Sequence, residues 1–162
     1  MNILCEDVQI KLDKTGNSAA AEIALMPGIV PYLTEKWTYP DNMPDSMVFD
    51  LWKDEKIIGQ AAYKSIRWFN RKAELSLFIH PEYQKKKIGF KVMEAMINHA
   101  FMHLNLHRLE VEIIDYNPAA IWLVEKLGFV NEGRLREARY FDGKYYDILR
   151  FGLIRTEYRK DH

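Results

Sequence analysis

The sequence predicts a mixed α/β domain of the α+β kind, with a central, twisted, mostly antiparallel sheet of about seven strands and helices on both faces. Three observations predict this class. Short segments of alternating or continuous hydrophobicity recur along the chain, as strands do. One longer segment, 93–104, carries apolar residues at helical spacing. The pair Asp142-Gly143 between two strand-like segments is typical of a tight hairpin turn.

Composition limits the domain count and the classes of partner. Of the 162 residues 48% are apolar, and no Pro-rich linker interrupts them, so we expect one domain over 1–162. Lys plus Arg equals Asp plus Glu at 23 each, and this zero net charge predicts neither a nucleic-acid nor a membrane partner. The single Cys5 leaves no internal disulfide to form. The acidic start of the chain lacks a signal-peptide pattern, which predicts a cytoplasmic protein.

The N-terminal part predicts a strand, two short helices and an unusual loop. Residues 8–12 alternate as a strand, and helices are expected at 19–26 and 29–37, separated by Pro27-Gly28. The segment 37–46 is dense in turn residues yet carries Trp37 and Tyr39. Two interpretations stay open: a loop folded back on the core, or a wall of an acceptor-substrate site that includes Trp37 and Tyr39.

The middle of the chain predicts a three-stranded meander followed by a helix. Strands are expected at 47–52, 57–68 and 75–79, the last apolar almost throughout, as in a strand covered on both faces. The helix that continues to Leu104 packs one apolar face on the sheet. The alternating segment 108–114 is expected to pair in parallel with the strand before the helix, through a right-handed crossover.

The C-terminal part predicts a short helix and a hairpin. Asn117-Pro118 is a good helix start, since Asn caps free N–H groups and Pro fits the first turn. Gly128 is a good helix end. Two final strands are expected at 129–135 and 145–153.

The loop between the central strand and the long helix is the segment richest in functional signals. It reads Gln84-Lys85-Lys86-Lys87-Ile88-Gly89. A helix N-terminus carries partial positive charge, so each lysine there costs roughly 0.3–1 kcal/mol when exposed. A bound anion would offset that cost, and a strand, a Gly-containing loop and a helix start are the parts of a phosphate site. The alternative is an ordinary solvated helix start.

At these residues the sequence resembles the GNAT superfamily of acetyl-CoA-dependent N-acyltransferases, whose pyrophosphate loop reads Q/R-x-x-G-x-G/A. Gln84 and Gly89 match its first and last positions, while Lys87 stands in place of the first glycine. A second match follows. The segments Asn117-Pro118-Ala119-Ala120, Glu125-Lys126-Leu127-Gly128-Phe129 and Glu132-Gly133 resemble the signature N-x-x-A/S, E-K-x-G-F, E-G of the subgroup that contains ribosomal-protein and spermidine N-acetyltransferases.

The resemblance implies an enzyme that transfers an acetyl group from acetyl-CoA to a primary amine by direct attack in a ternary complex, without a metal. A protein N-terminus, a polyamine and an amino sugar all stay open as acceptors, and a homodimer is among the open oligomeric states. The backbone of the central strand would line the acetyl group, the loop the pyrophosphate, and the asparagine the pantetheine arm. The residues so implied to bind acetyl-CoA are Leu77, Phe78, Ile79, Gln84, Lys85, Lys86, Lys87, Ile88, Gly89 and Asn117. From sequence alone Asn117 can equally be a plain helix cap.

Glu74 is the candidate general base. It begins the central strand, where many members of the family carry the carboxylate that accepts the ammonium proton, usually through water. Partial desolvation would raise its pKa toward the working pH. The alternative is a structural carboxylate paired with Arg71 or Lys72.

Val124 is the main departure from the family pattern, because family members that use a general-acid tyrosine carry it at this position. Valine cannot protonate the leaving thiolate, so the acid is either solvent or one of Tyr116, Tyr140, Tyr145 and Tyr146. This departure and Lys87 support the alternative function, an acyl-CoA-binding module without catalysis.

Three histidines recur at four-residue spacing, His99, His103 and His107. No carboxylate completes an H-E-x-x-H pattern, so no metal site is predicted. His107 lies beyond the helix, and we expect the histidines within the helix on its polar face.

Overall fold

The structure is a computed structural model that describes residues 2–5, 8–12 and 43–158. In this part of the chain the strands are β1 (Asn2–Cys5), β2 (Val8–Leu12), β3 (Met47–Lys53), β4 (Lys56–Arg67), β5 (Lys72–Ile79), β6 (Arg108–Ile114), β7 (Val130–Phe141) and β8 (Lys144–Ile154). The helices are α1 (Ile88–Met102) and α2 (Pro118–Lys126), and a 3-10 turn, Pro81–Tyr83, precedes α1. The predicted helices at 19–26 and 29–37, and with them Trp37 and Tyr39, lie outside the described residues. No described helix is long and apolar enough to cross a membrane.

The described strands form one sheet in the order β1-β2-β3-β4-β5-β6-β8-β7. Only β5 and β6 are parallel, so the mixed α/β class and the predicted parallel pairing are confirmed. The sheet has eight described strands where about seven were predicted. The additional strand is β1, whose four residues are too few for hydrophobic alternation to mark them.

The parallel pair β5–β6 separates part-way along its length. Its register consists of Lys72↔Arg108, Ala73↔Leu109 and Glu74↔Glu110, and the pairing ends there. Beyond Glu74, β5 continues to pair with β4, while β6 continues to pair with β8. The C-terminal halves of β5 and β6 therefore diverge, and the side of β5 that faces β6 has no ladder partner in the described sheet.

The core lies between the sheet and the two described helices. Phe49, Tyr63 and Leu75 are fully buried in the core cluster that also includes Met96 and Phe101 of α1. Since side chains alternate across a strand, the intervening residues of β3 to β5 face the opposite side of the sheet. These residues are Asp50, Gln60, Glu74, Ser76 and Phe78.

The prediction for His99 is wrong. Its side chain is only 5% exposed, whereas His103 and His107 are exposed. The Tyr63 hydroxyl donates its proton to the carbonyl oxygen of Met96 at 2.6 Å, and His99 Nδ1 lies 3.0 Å from the same hydroxyl oxygen. The histidine takes a core position on α1 because the buried tyrosine of β4 supplies a polar partner. No group of three or more potential metal ligands occurs among the described residues.

Candidate functional site

The loop before α1 has a backbone that glycine adopts most readily, although lysines occupy it. Lys85 and Lys87 both lie in the left-handed region, with φ of 60° and 61°. Lys87 holds the position of the family's first loop glycine and is the N-cap of α1. A non-glycine residue pays roughly 1–2 kcal/mol for this conformation. The loop thus keeps a glycine-like turn in spite of the Cβ at Lys87.

Two side chains of the loop fasten it to the protein. The amide nitrogen of Gln84 donates to the carbonyl oxygen of Ile79 at 2.9 Å, which ties the loop to the end of β5. The Lys86 ammonium lies 5.4 Å from the centre of the Tyr83 ring, within cation–π range. Neither contact was predicted from the sequence. Gln84 and Lys86 therefore have structural partners, whereas Lys85 and Lys87 extend from an exposed turn.

The N-terminus of α1 is suited to an anion. No side chain caps it, and its first turn carries no acidic residue. The first N–H groups of a helix have no partner within the helix, and together with the dipole they attract negative charge. Ile88, the first residue of the helix, is buried in the core and anchors this end.

Gly89 lies where α1 approaches β5 and α2. A Cβ built there would be 3.6 Å from the Ile79 side chain, 3.8 Å from Leu77 and 3.9 Å from Leu123. These are ordinary van der Waals distances, so packing within the protein does not require glycine at this position. Close approach of a ligand to the backbone would require glycine here.

The end of β5 presents different groups on its two faces. Leu77 and Ile79 are half-buried and face Gly89, while Phe78 is 65% exposed on the opposite face. The backbone of these three residues borders the gap where β5 leaves β6. The structure thus brings the predicted acetyl-binding strand and the predicted pyrophosphate loop together.

Asn117 caps α2. Its side-chain oxygen accepts a hydrogen bond from the backbone N–H of Ala120 at 3.1 Å, and Pro118 follows in the first turn. The helix-cap interpretation is therefore confirmed. Contact of Asn117 with a pantetheine arm stays a prediction.

Glu74 is half-buried at the point where β5 and β6 part, next in register to Glu110. Burial is the main cause that raises its pKa, and the charges of Glu112 and Glu110 raise it further, against Lys64 and Arg150. The two cations proposed to pair with Glu74 have other partners. Arg71 donates to the backbone and side chain of Asn105, both at 2.8 Å, and Lys72 pairs with Glu110 at 3.2 Å.

The carboxylates near Glu74 are held by cations of the same sheet face. Glu110 accepts from Arg108 at 2.9 Å, which keeps its pKa low in spite of partial burial. Glu112 pairs with Arg150 of β8 at 3.2 Å. These neighbours of Glu74 were not predicted from the sequence. The alternation of β6 was the available signal, because it places Glu110 and Glu112 on one face.

Glu132 of the E-G match has a structural partner. Its carboxylate binds both terminal nitrogens of Arg108, one of them at 2.9 Å, and this holds the pKa of Glu132 low. Gly152 on β8 leaves room for the carboxylate, since a Cβ there would contact it. This motif therefore links β6, β7 and β8.

The residues considered for the general-acid role, Val124 and four tyrosines, lie in different environments. Val124 is 2% exposed and belongs to the core, so it takes no part in an open site. Tyr116, just after β6, meets Tyr146 edge-on at 4.6 Å, and Tyr140 and Tyr145 lie 5.1 Å apart near the turn of the β7–β8 hairpin. Tyr116 is thus the tyrosine adjacent in sequence to Asn117 at the head of α2, and it is half exposed.

Comparison with known families gives a match over residues 30–149 to the acetyltransferase (GNAT) domain. The chain belongs to the GNAT acetyltransferase family. The match includes the β3 to β6 region, the loop before α1 and both described helices of this GNAT chain.

Individual relatives of this GNAT chain fall into the predicted subgroup. A spermidine N(1)-acetyltransferase from Vibrio cholerae is 32% identical over 64% of this chain and 60% of its own length. A putative ribosomal N-acetyltransferase from Bacillus subtilis is 28% identical over 65% of the chain and 57% of its own length. The chain thus spans about 60% of the length of the curated relatives that it matches.

A solved structure gives the same result for the fold. The spermidine N-acetyltransferase from Vibrio cholerae in complex with CoA and spermine superposes with a TM-score of 0.67 at 30% identity. The superposition covers 70% of this chain and 68% of that one.

Proposed function

We propose that this protein is an acetyl-CoA-dependent N-acetyltransferase that acts on a primary amine by direct attack in a ternary complex. One observation carries the proposal. The uncapped N-terminus of α1 follows a loop with left-handed turns at Lys85 and Lys87, and this loop is tied to the C-terminal end of β5, which no longer pairs with β6. An anion-binding helix start beside an unpaired strand edge can hold both the phosphates and the thioester of acetyl-CoA. Family membership supports the same activity.

The residues of the loop and the strands have distinct roles in this proposal. The first N–H groups of α1 and the ammonium groups of Lys85 and Lys87 bind the pyrophosphate. Gly89 permits its close approach. The backbone of Leu77, Phe78 and Ile79 lines the acetyl group, where a strand N–H donates to the carbonyl oxygen as negative charge develops on it. Asn117 borders the pantetheine arm from the head of α2.

Glu74 is the proposed general base. Its carboxylate accepts a proton from the acceptor ammonium, through water, and the free amine then attacks the thioester carbon. A C–N bond forms and the C–S bond breaks; the amine nitrogen releases its second proton to solvent, and the CoA thiolate takes a proton from solvent or from a tyrosine. Burial and the charges of Glu110 and Glu112 raise the pKa of Glu74, which makes it a stronger base than an exposed glutamate.

The relatives support an order in which the acceptor classes are tested. One relative is a spermidine N(1)-acetyltransferase and another a putative ribosomal N-acetyltransferase, so a polyamine and a protein N-terminus are the first acceptors to test, with amino sugars third. The reaction needs no metal.

We further propose that residues 1–162 act as one cytoplasmic domain that self-associates, a homodimer being the simplest form. β7 is a sheet edge exposed along its whole length, with large apolar residues at Val130, Leu135 and Phe141. The unpaired backbone N–H and C=O groups of such a long strand edge can pair with a second copy of the chain.

The direct test is acetyl-CoA turnover with a panel of amines, followed by the appearance of free thiol. We expect release of CoA with at least one polyamine or peptide and not with tertiary amines, together with a thermal shift on acetyl-CoA alone. Ligand at 100 times its dissociation constant should stabilise the fold by about 2.7 kcal/mol. A melt unchanged by millimolar acetyl-CoA would overturn the proposal.

The alternative is a GNAT-like module that binds acyl-CoA without catalysis. Lys87 in place of the loop glycine and valine at position 124 favour it, because valine cannot donate a proton to the leaving thiolate. This function predicts the thermal shift without turnover for any amine of the panel.

A further inference from the structure

A cavity of about 540 Å³ opens beside the end of β5, where Asp50, Gln60 and Phe78 lie on one face of the sheet. Its walls also include Ile57 and Pro81. Nothing in the proposed mechanism uses this space. It adjoins the proposed acetyl site, since Phe78 and Ile79 border both. We name it the Asp50 cavity.

The sheet register explains how the Asp50 cavity connects to the acetyl site. Asp50 of β3 pairs with Gln60 of β4, and Gln60 pairs with Phe78 of β5, so the three form one cross-strand row. Neighbouring strands lie about 4.8 Å apart, which puts Asp50 roughly 10 Å from the β5 backbone. A ligand that reaches from the thioester along this row meets Phe78 first and Asp50 last.

The cavity lining is mostly apolar and includes one carboxylate, Asp50, one amide, Gln60, and one imidazole, His80. Ile57 and Phe78 are 56% and 65% exposed, and large exposed apolar side chains around a concave site are typical of ligand-binding surfaces. The Asp50 carboxylate accepts a hydrogen bond from the Gln60 amide at 3.4 Å, a contact that restrains its position. A hydrocarbon segment that ends in a cation complements this lining.

Gly59 keeps the end of the cavity in shape. A Cβ at Gly59 would overlap the carbonyl oxygen of Phe78 and lie 3.0 Å from the Ile79 Cα. β4 can therefore approach β5 closely only with glycine at this position. The register of β3 and β4 also shifts between Leu51 and Trp52, which leaves Ile58 as an extra residue.

We infer that the Asp50 cavity binds the far ammonium group of a diamine acceptor. The reacting amine lies at the end of β5, a hydrocarbon segment crosses Phe78 and Gln60, and the second ammonium pairs with Asp50. This inference rests on the proposed acetyltransferase function and names the acceptor class of the same site. Asp50 is then a specificity-determining residue that acts on binding of the acceptor and not on the transfer step.

The test compares unbranched α,ω-diamines with n-alkylamines of the same carbon number as acetyl acceptors. We expect kcat/KM to favour the diamine by about 10- to 100-fold, the effect of a hydrogen bond to a charged group. The advantage should be largest when the two nitrogens can lie roughly 10 Å apart and should decline for shorter diamines. Asp50→Asn should abolish the advantage through KM, with kcat and the KM for acetyl-CoA unchanged.

Two further variants complete the experiment. Asp54→Asn removes an exposed carboxylate from the adjacent β3–β4 turn and should keep the diamine advantage. Ile57→Lys adds a competing cation at an exposed wall, so it should weaken the diamines and leave the alkylamines unchanged, even if Asp50→Asn fails to fold.

The outcomes separate this inference from the proposed function. If diamines are favoured and neither Asp50→Asn nor Ile57→Lys changes that advantage, the inference is overturned and the proposed function stands. The same holds if peptides are acetylated but no diamine is. If no amine is acetylated, calorimetric titration with the same diamines decides. Binding that Asp50→Asn weakens tenfold supports the cavity assignment, and equal or absent binding overturns it.

Discussion

The side-chain amide of Gln84 donates to the carbonyl oxygen of Ile79, and this 2.9 Å hydrogen bond joins the proposed pyrophosphate loop to the strand that lines the acetyl group. The two halves of the proposed cofactor site are therefore mechanically connected. Gln84 therefore holds the loop against the C-terminal end of β5, and this role does not require a direct contact with the cofactor.

Gln84→Met, which keeps the size of the side chain and removes the donor, should loosen this connection. We expect acetyl-CoA to bind about tenfold more weakly and the free energy of unfolding to fall by about 0.5–1.5 kcal/mol, the usual net value of one hydrogen bond. Calorimetric titration and urea unfolding measure the two effects. Lys86→Met, which removes the contact with Tyr83, is the control and should change stability by no more than about 1 kcal/mol. Unchanged affinity in Gln84→Met would refute the connection.

Lys87→Gly should stabilise the protein, since glycine adopts the observed φ of 61° without strain. The gain is about 0.5–1 kcal/mol, because the greater freedom of glycine in the unfolded chain offsets part of the relief. Acetyl-CoA affinity should stay within about tenfold, as the lost charge and the relieved approach oppose each other. Lys86→Gly, at a position without positive φ, should lose stability instead. A hundredfold gain in affinity for Lys87→Gly would favour the non-catalytic module.

Glu74→Gln should lower turnover by about 10² to 10⁴ and leave acetyl-CoA affinity unchanged, because it removes basicity and keeps shape. Activity of the variant should recover partly at high pH, where the amine is already deprotonated. Steady-state kinetics across pH measures both effects. Normal turnover with the true acceptor would make Glu74 a structural carboxylate.

Glu74 also gives the stability of the wild-type protein a defined pH dependence. The pKa of Glu74 is raised in the folded protein, so the folded state binds this proton more tightly than the unfolded chain. The free energy of unfolding therefore falls as pH rises from the ordinary glutamate pKa through the raised one. Glu74→Gln should remove this decline, and thermal melts between pH 4 and pH 8 would detect it. A wild-type curve that rises more steeply than that of the variant in this interval contradicts the prediction.

Gly59→Ala and Gly89→Ala should have opposite effects on stability. At Gly59 the new methyl overlaps the backbone of Phe78, so we expect a loss of about 1–3 kcal/mol, as for overpacked sites. At Gly89 the methyl makes ordinary contacts on a helix, and a gain of up to about 1 kcal/mol is expected. If a phosphate approaches that backbone, Gly89→Ala should nonetheless weaken acetyl-CoA binding. Full affinity in a stabilised Gly89→Ala would exclude a close approach at this residue.

His99 should make folding stability depend on pH between about 4 and 6.5. Burial, assisted by the charge of His103, lowers the pKa of His99 to about 4. The unfolded chain therefore binds a proton that the folded state rejects in this range, and stability falls as pH drops below the ordinary histidine pKa of about 6.5. His99→Phe should flatten this part of the stability curve by roughly 1–3 kcal/mol, whereas His103→Phe removes only the smaller of the two causes and should flatten it less. Equal slopes in both variants would contradict this assignment.

Much of the fold was accessible from local patterns. The parallel β5–β6 pair, the Asn117 cap and the hairpin turn were all predicted, and Asp142 and Gly143 do adopt the positive φ of 49° and 76° that a type I′ turn requires. The cap and the turn depend on residues close together in sequence, and the parallel pair follows from the order of strand, helix and strand along the chain. Period, cap and turn chemistry are therefore sufficient to specify them.

The arrangement of side chains in the candidate site could be described only from the tertiary structure. Four features depend on contacts between segments that the sequence does not show to be neighbours. They are the point where β5 and β6 separate, the burial of His99 beside Tyr63, the hydrogen bond from Gln84 to Ile79, and the cross-strand row that contains Asp50 and Phe78. A buried polar residue on a helix has the same sequence pattern as an exposed one until its partner on another strand is known. The sequence by itself thus determined which elements form and which family they resemble, and packing decided which side chains meet, because burial and pairing energies belong to pairs of residues that the chain brings together only when it folds.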